Sequence, residues 1–406
     1  MARILEGVKV FDLTRVIAGP LCTQTLADMG ATVYKIEKPG EGDDTRRMGP
    51  FLPGEGHGGH TNDSATYLAY NRGKRSVTLD IASPEGARLA QDLAARCDVV
   101  VENYKAGSLA KYGLDEASIR QRRPDIVYCS VTGFGQDGPY AARAAYDFIL
   151  QGLAGPMSTC GQPDGAPGAG AMRTAIPITD VVTGLYAAIG VVSALYHRRV
   201  TGTGQHVDTA MIDASVALNG HLALGYLMTG KVPPRVGNTN PIASPSEVMT
   251  CADGPFILAA GNDGQFQAMC RVLGHPEWAE DERFRTNTLR VAHRDALRVT
   301  LAPVLAERRL PELLSLFGAA GVPCGPINDI ADVFEDPQTR HRQLELYLPH
   351  SRGVAVPSLR SPLRFSATPV DHHAPPMLGE HSASVLAAEL GIDEGRLQGL
   401  RERGVV

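Results

Sequence analysis

Asp180 is the residue best placed to do chemistry. It stands at the start of a helical run, Thr179 to Gly190, after a segment from Gly161 to Pro177 dense in Gly, Ala and Pro. A carboxylate there faces the positive end of the helix dipole, which keeps it ionised. The small residues before it let a ligand or another chain approach closely. Such a group can serve as a carboxylate nucleophile; equally, Asp is a preferred N-cap residue and could merely close its helix. Spacing alone leaves both roles open. The seven cysteines are scattered, odd in number and never in a CxxC pair, which argues against zinc and against a disulfide framework. Cys97 and Cys129 adjoin apolar strand-like runs and read as small buried hydrophobes. The twelve histidines form no HxxxH pair; His57 and His60 fall in a Gly-rich loop and His372-His373 in a Pro-flanked tail, so no metal is expected.

At 406 residues the chain can hold two domains with ample core. A net charge of -5 lacks the basic field that nucleic-acid binding requires. No run reads as long enough to cross a bilayer, and the opening Met1 to Gly7 lacks a signal-peptide core. These features point to a cytoplasmic protein with neither membrane nor nucleic-acid partners.

The elements that must position Asp180 are legible from hydrophobic pattern. Strands are expected at Val8–Leu13, Ala31–Ile36, Ser76–Ile81, Asp98–Val101 and Asp125–Val131, with a helix from about Gly19 to Met29 between the first two. Ser83-Pro84-Glu85 starts another helix with a capping Ser and a first-turn Pro. This alternation implies an α/β fold with a parallel sheet, helices on both faces. A dinucleotide fold is the obvious suspicion, yet Thr14 to Pro20 after the first strand contains no GxGxxG, so no nicotinamide cofactor is expected. Further on, a helix at Val181–Tyr196, a strand at His206–Asp208 and a helix at Met211–Leu227 complete a large domain, 1–227. Lys231 to Ser246 reads as linker. A smaller domain, 228–330, carries a strand at Pro255–Ala260 and helices at Gln265–Leu273, Ala292–Glu307 and Leu310–Ala320; 331–406 returns to the large domain.

Several short motifs recur in a fixed order: Leu5-Glu6-Gly7-Val8-Lys9-Val10, Ala18-Gly19-Pro20, Leu26-Ala27-Asp28-Met29-Gly30-Ala31, Val33-Tyr34-Lys35-Ile36-Glu37, Asn71-Arg72-Gly73-Lys74-Arg75-Ser76, Val101-Glu102-Asn103-Tyr104, Gly133-Phe134-Gly135, Thr201 to Asp208, and Gly321-Val322-Pro323-Cys324-Gly325-Pro326. In this order they resemble the family III CoA-transferases, a group that includes formyl-CoA transferase, carnitine CoA-transferase and 2-methylacyl-CoA racemase. The resemblance implies that Asp180 is the nucleophile, that the large domain is Rossmann-like with a smaller α/β domain, and that two chains thread through each other as an interlocked homodimer. It implies coenzyme A as the bound group, with Arg15, Val16, Ile17, Ala18, Lys38, Arg72, Lys74, Arg75, Asn103, Tyr104, Lys105 and Lys111 around it. Phosphates need cations and backbone donors. The Arg72/Lys74/Arg75 cluster and the Asn103–Lys105 turn are the leading candidates. The family's small-residue lid corresponds to Ala259–Gln265, including Gly261, Asn262 and Gly264, although this version is not all glycine. Ile17 replaces the Gln of formyl-CoA transferase.

The racemase branch needs an acid/base pair beside the thioester. It places a His where this chain has Tyr146, and Tyr, with a pKa near 10, is a poor base at neutral pH. Tyr146 is better read as lining the pocket. A non-catalytic CoA-ester binder is the third alternative, disfavoured because Asp180 is present. Gly261-Asn262, the Val322–Asn328 segment and the ending Arg403-Gly404-Val405-Val406 look closest to the branch using succinyl-CoA and dicarboxylates. A second carboxylate on the acceptor calls for a cation, and Arg173 is the candidate.

Overall fold

Six strands form the expected parallel sheet: β1 (Lys9–Leu13), β2 (Thr32–Glu37), β3 (Arg75–Thr78), β4 (Val99–Glu102), β5 (Val127–Thr132) and β6 (His206–Ala210). Their order across the sheet is β3-β2-β1-β4-β5-β6, every pairing parallel. In this computed structural model residues 3–53 and 60–406 are described, so His57 lies outside them; His60 opens a short strand, His60–Ser64, rather than sitting in a loop. The chain divides into two units. The first comprises Met1–Pro156, Arg173–Lys231 and Gln338–Val406; the second comprises Met157–Met172 and Val232–Pro337. The Gly/Ala/Pro segment before Asp180 is thus shared between them.

Side chains on a strand alternate between faces, and in the first unit both faces are buried, as a parallel sheet requires. Phe11, Tyr34, Ile36, Val100 and Tyr128 pack on one side with Leu89 and Leu93 and with Leu386, Leu397 and Leu400 from the C-terminal helices. Val10, Val33, Val99, Val101 and Cys129 face the other side. There they meet Leu26 of α1 (Ala18–Asp28) together with Ala187, Val191 and Ala194 of a long helix. Each Val, Leu, Ile or Phe among them contributes about 1.5–3 kcal/mol by burial. The helix α2 (Pro84–Ala94) begins as expected, with the Ser83 hydroxyl accepting from Gly86 N–H at 3.0 Å. A short helix α3 (Asp147–Leu153) precedes the long one, α4 (Ile178–Thr201).

Two expectations need correction. By length and composition α4 could cross a membrane, contrary to the impression that no run is long enough. Within its unit, however, it crosses α1 at close range. A Cβ on Gly184 would lie 2.5 Å from the Ala18 carbonyl oxygen, so glycine alone lets the two backbones meet there. The Met211–Leu227 helix is two helices, Met211–Leu218 and Gly220–Thr229, broken where Gly220 adopts φ +46.

The second unit is built on a three-stranded antiparallel sheet of Ser246–Cys251, Gly254–Ala259 and Cys324–Pro326. Phe256, Phe266, Phe284, Leu301 and Phe317 form its core. The strand Ser246–Cys251 begins on the last residue of the stretch read as linker. Its inward positions include Glu247, which pairs with Arg294 and Arg298, so an apolar pattern was never there to see.

Candidate active site

In a doubly wound sheet, ligands bind beyond the carboxyl ends of the strands where the strand order reverses. Here that point lies between β1 and β4. The turn after β1 (Thr14 to Ile17) and the turn after β4 (Asn103 to Lys105) meet there. The Asn103 carboxamide accepts from Arg15 N–H at 2.8 Å and donates to the Arg15 carbonyl at 2.7 Å, tying the turns together. Val16 adopts φ +71, a left-handed conformation that costs a β-branched residue about 1–3 kcal/mol. Buried charges beneath it hold the turn. Asp43 accepts from Val16 N–H at 3.3 Å, Lys35 donates to the Thr14 carbonyl at 3.0 Å and to Asp43 at 2.8 Å, and Asp12 accepts from Thr14 N–H at 2.9 Å. Burial would raise the Asp43 pKa, but Lys35 and the Thr45 hydrogen bonds hold it at about 2.

Two cavities open at this point and share Arg15, Asp44 and Tyr104. One, of about 230 Å³, is lined by Val16, Ile17, Ala18, Asn103, Lys105, Tyr146 and Asp180 among others. The other, of about 280 Å³, is lined by Lys38, Glu41, Leu79 and Tyr112 on the β2–β3 side. The structure therefore brings most of the expected CoA residues together around one cleft. Arg15 pairs with Asp44 at 3.2 Å, and Lys38 pairs with Glu41; both pairs are exposed and screened by solvent, so phosphates can compete for these cations. Arg143, which the sequence did not single out, also lines the Asp180 cavity, its guanidinium 3.9 Å from the Tyr140 ring centroid. Lys111 lies over the Tyr112 ring, at the margin of the second cavity.

The Arg72/Lys74/Arg75 cluster is not where it was expected. Arg72 is buried and bound to the Asp28 carboxylate and the Leu359 carbonyl. Lys74 is buried too, donating to Asp12 at 3.1 Å, Asn71 at 2.9 Å and the Pro20 carbonyl at 3.0 Å; burial draws its pKa down to about 8. Lys74 thus supports the β1 turn from beneath through Asp12, and Arg72 ties the end of α1 to the Leu359 carbonyl. Arg75 begins β3 and so lies at the opposite, amino-terminal end of the sheet. Positive residues beside a glycine suggest surface, but their counter-ions are distant in sequence.

Asp180 is the third residue of α4 and does not cap it. The cap is supplied by Asp147, which accepts from Thr179 N–H at 2.9 Å, Asp180 N–H at 3.4 Å and the Thr179 hydroxyl. Gln151 donates to Asp147 at 2.6 Å and anchors Thr174 N–H at 2.9 Å. The Asp180 carboxylate has no hydrogen-bond or ionic partner among the described residues. Burial, with Asp147 close by, pushes its carboxyl up to about 7. The dipole therefore does not decide its ionisation, as had been expected; desolvation and a like charge outweigh it. A carboxyl poised near neutrality in a cleft marks a functional site.

Tyr146 lines the cavity and is 66% exposed. Arg173 does not line it; its guanidinium lies 5.2 Å from the Phe148 ring centroid and it donates to the Thr174 carbonyl. In the second unit, Gly261, Asn262 and Gln265 line a separate cavity with Ala243 and Asn287. The expected small-residue loop is short there. Asn262 caps the helix Asp263–Leu273, accepting from Gln265 N–H at 2.8 Å, and Gly264 already lies in that helix. Arg290, fully buried, donates to the Gly261 and Ser244 carbonyls and to Asp263. Among the described residues no group of three His, Cys, Asp or Glu side chains could hold a metal ion.

A carboxyl held unpartnered beside a switch-point cleft suits acyl chemistry on a nucleotide-bearing thioester. Residues 5–382 match the family described as CoA-transferase family III. The chain belongs to that family. It is 45% identical over 384 residues to a succinate–glutarate CoA-transferase of Agrobacterium fabrum, covering 94% of this chain and 95% of that one. It is 37% identical to the human succinyl-CoA:glutarate CoA-transferase, covering 99% and 90%. A solved CAIB/BAIF family protein from Brucella suis matches with a TM-score of 0.85 at 44% identity, covering 96% and 100%. This CoA-transferase thus acts on CoA thioesters with a family fold around the cleft just described.

Proposed function

We propose that this CoA-transferase moves coenzyme A from succinyl-CoA to a dicarboxylic acid, with Asp180 as the covalent nucleophile. The observation that carries this is Asp180 itself, unpartnered in the switch-point cleft with its carboxyl at about 7. A free carboxylate there attacks the donor thioester carbonyl; the C–S bond breaks and CoA thiolate leaves an aspartyl–succinyl anhydride. The thiolate then attacks the aspartyl carbonyl, releasing succinate and forming an Asp180–CoA thioester. The acceptor carboxylate attacks that carbonyl, and the liberated thiolate takes the acceptor's acyl group, restoring Asp180. Each displacement is easier than direct exchange between two carboxylates. The intermediates are hydrolysable, so water exclusion is required, and Ala259–Gln265 is the candidate lid. The substrates follow the relatives, one a succinate–glutarate and one a succinyl-CoA:mesaconate CoA-transferase.

The working form is an interlocked homodimer. The support is apolar surface left uncovered in one chain: Tyr186, Ile189, Tyr196 and Val200 on α4, and Leu224, Leu227 and Met228 on the helix Gly220–Thr229, are all exposed. Patches of this kind mark association surfaces. Incubation with succinyl-CoA and glutarate, followed by chromatography of CoA esters and mass spectrometry of the protein, tests the chemistry. Glutaryl-CoA and a CoA adduct on Asp180 are expected, both lost in Asp180→Asn. Deuterium entering the α-carbon of a 2-methylacyl-CoA would instead indicate the racemase, and neither outcome a binder.

A further inference from the structure

A second polar cavity, of about 430 Å³, lies at the amino-terminal end of the sheet, against the starts of β2 and β3. Its walls include Arg75, His350, His372 and His381. The hydrogen bonds fix what two of these imidazoles present. His350 Nδ1 accepts from Arg352 N–H, so Nε2 carries the proton. That Nε2–H is buried on a residue 7% exposed and has no acceptor. His372 Nε2 accepts from Ser361 N–H at 3.0 Å, which makes Nδ1 its donor. His381 Nδ1 is likewise buried without a partner. Arg75 is exposed at the lip and makes no ion pair among the described residues. One carboxylate, Glu380, is part of the wall and accepts from Met377 N–H, while Asp371 nearby pairs with Arg3 and His373.

The cavity therefore has a surplus of donors, one unpaired cation and, on a residue of its wall, a buried N–H without an acceptor. Buried donors without acceptors are destabilising, and a charged acceptor satisfies them best. We propose that this cavity is a second binding site, distinct from the Asp180 cleft, for a small acceptor-rich dianion, either a short dicarboxylate or inorganic phosphate. Arg75 neutralises the charge and His350 Nε2–H fixes the orientation. This accounts for the one cation of the Asn71–Ser76 motif that neither faces the CoA cleft nor joins the buried network. It does not depend on which acids the enzyme exchanges.

Isothermal calorimetry tests it on the full-length protein saturated with CoA, which fills the Asp180 cleft. Sodium succinate and sodium phosphate are titrated separately at constant ionic strength, with chloride as control. Phosphate is expected to bind at one site, and succinate at that site in addition to its place beside CoA in the Asp180 cleft; the better ligand at the Arg75 site names the source. Arg75→Gln should weaken it about tenfold or more, the worth of one charge-assisted hydrogen bond. His350→Gln should weaken it too, while Lys38→Gln, in the other cleft, should leave it unchanged. Heats no larger than with chloride, or equal affinity in Arg75→Gln, would mean an adventitious ion only and overturn the proposal.

Discussion

Replacing Asp180 by Asn should stabilise the protein, and more so as pH rises. The folded carboxyl titrates at about 7 against an ordinary 3.8, a shift of about three units at roughly 1.36 kcal/mol each. That sets an upper bound of about 4 kcal/mol, which partial access to solvent reduces. The sign follows from proton counting. Between the two values the unfolded chain has released this proton while the folded chain keeps it, so stability falls as pH rises and the loss is complete above about pH 7. Asparagine has no such proton to hold. The variant's advantage should therefore widen by about 1–3 kcal/mol between pH 5 and pH 8.5. Urea unfolding followed by circular dichroism, at one fixed protein concentration, measures it. A stability difference that stays flat over that range would refute the claim that burial and Asp147 hold Asp180 largely protonated below neutrality. The same titration should appear in kcat/KM, rising with pH through about 7 as the nucleophile ionises.

Asp147→Asn keeps a capping oxygen but removes the neighbouring charge, so the activity profile of Asp180 should move to lower pH, read from kcat/KM against pH. Asn103→Ala loses both bonds to Arg15, about 2 kcal/mol in total. The KM for acyl-CoA should rise severalfold or more, with a fall in the urea midpoint of no more than that loss. Arg72→Gln should do the reverse: it leaves Asp28 buried and poorly paired, costing about 3–5 kcal/mol in urea unfolding, while KM for acyl-CoA stays unchanged.

The large sheet was legible because strands buried on both faces are continuous apolar runs separated by helical periods, and five of its six strands are marked this way between Val8 and Val131. Asp180 was legible as a residue but not in its state. Its raised pKa comes first from burial, which no local pattern records, and then from Asp147, which is distant in the sequence. The support beneath the cleft was hidden for a similar reason. Lys74 and Arg72 find their carboxylates at Asp12 and Asp28, on other elements, so their charge suggested ligand contact when it serves packing. Arg173 precedes Asp180 in the chain but turns toward Phe148, whereas Arg143 reaches the cavity from the loop after β5. The Asn103 clamp has no signature beyond the residue itself, since its partner is backbone.

The left-handed turn at Val16 has a consequence for turnover. Contacts from Asp12, Lys35, Asp43 and Asn103, all within the protein, over-determine it. A turn braced this way by the protein's own contacts asks little ordering of each arriving thioester. Product can then leave without waiting for the turn to come apart.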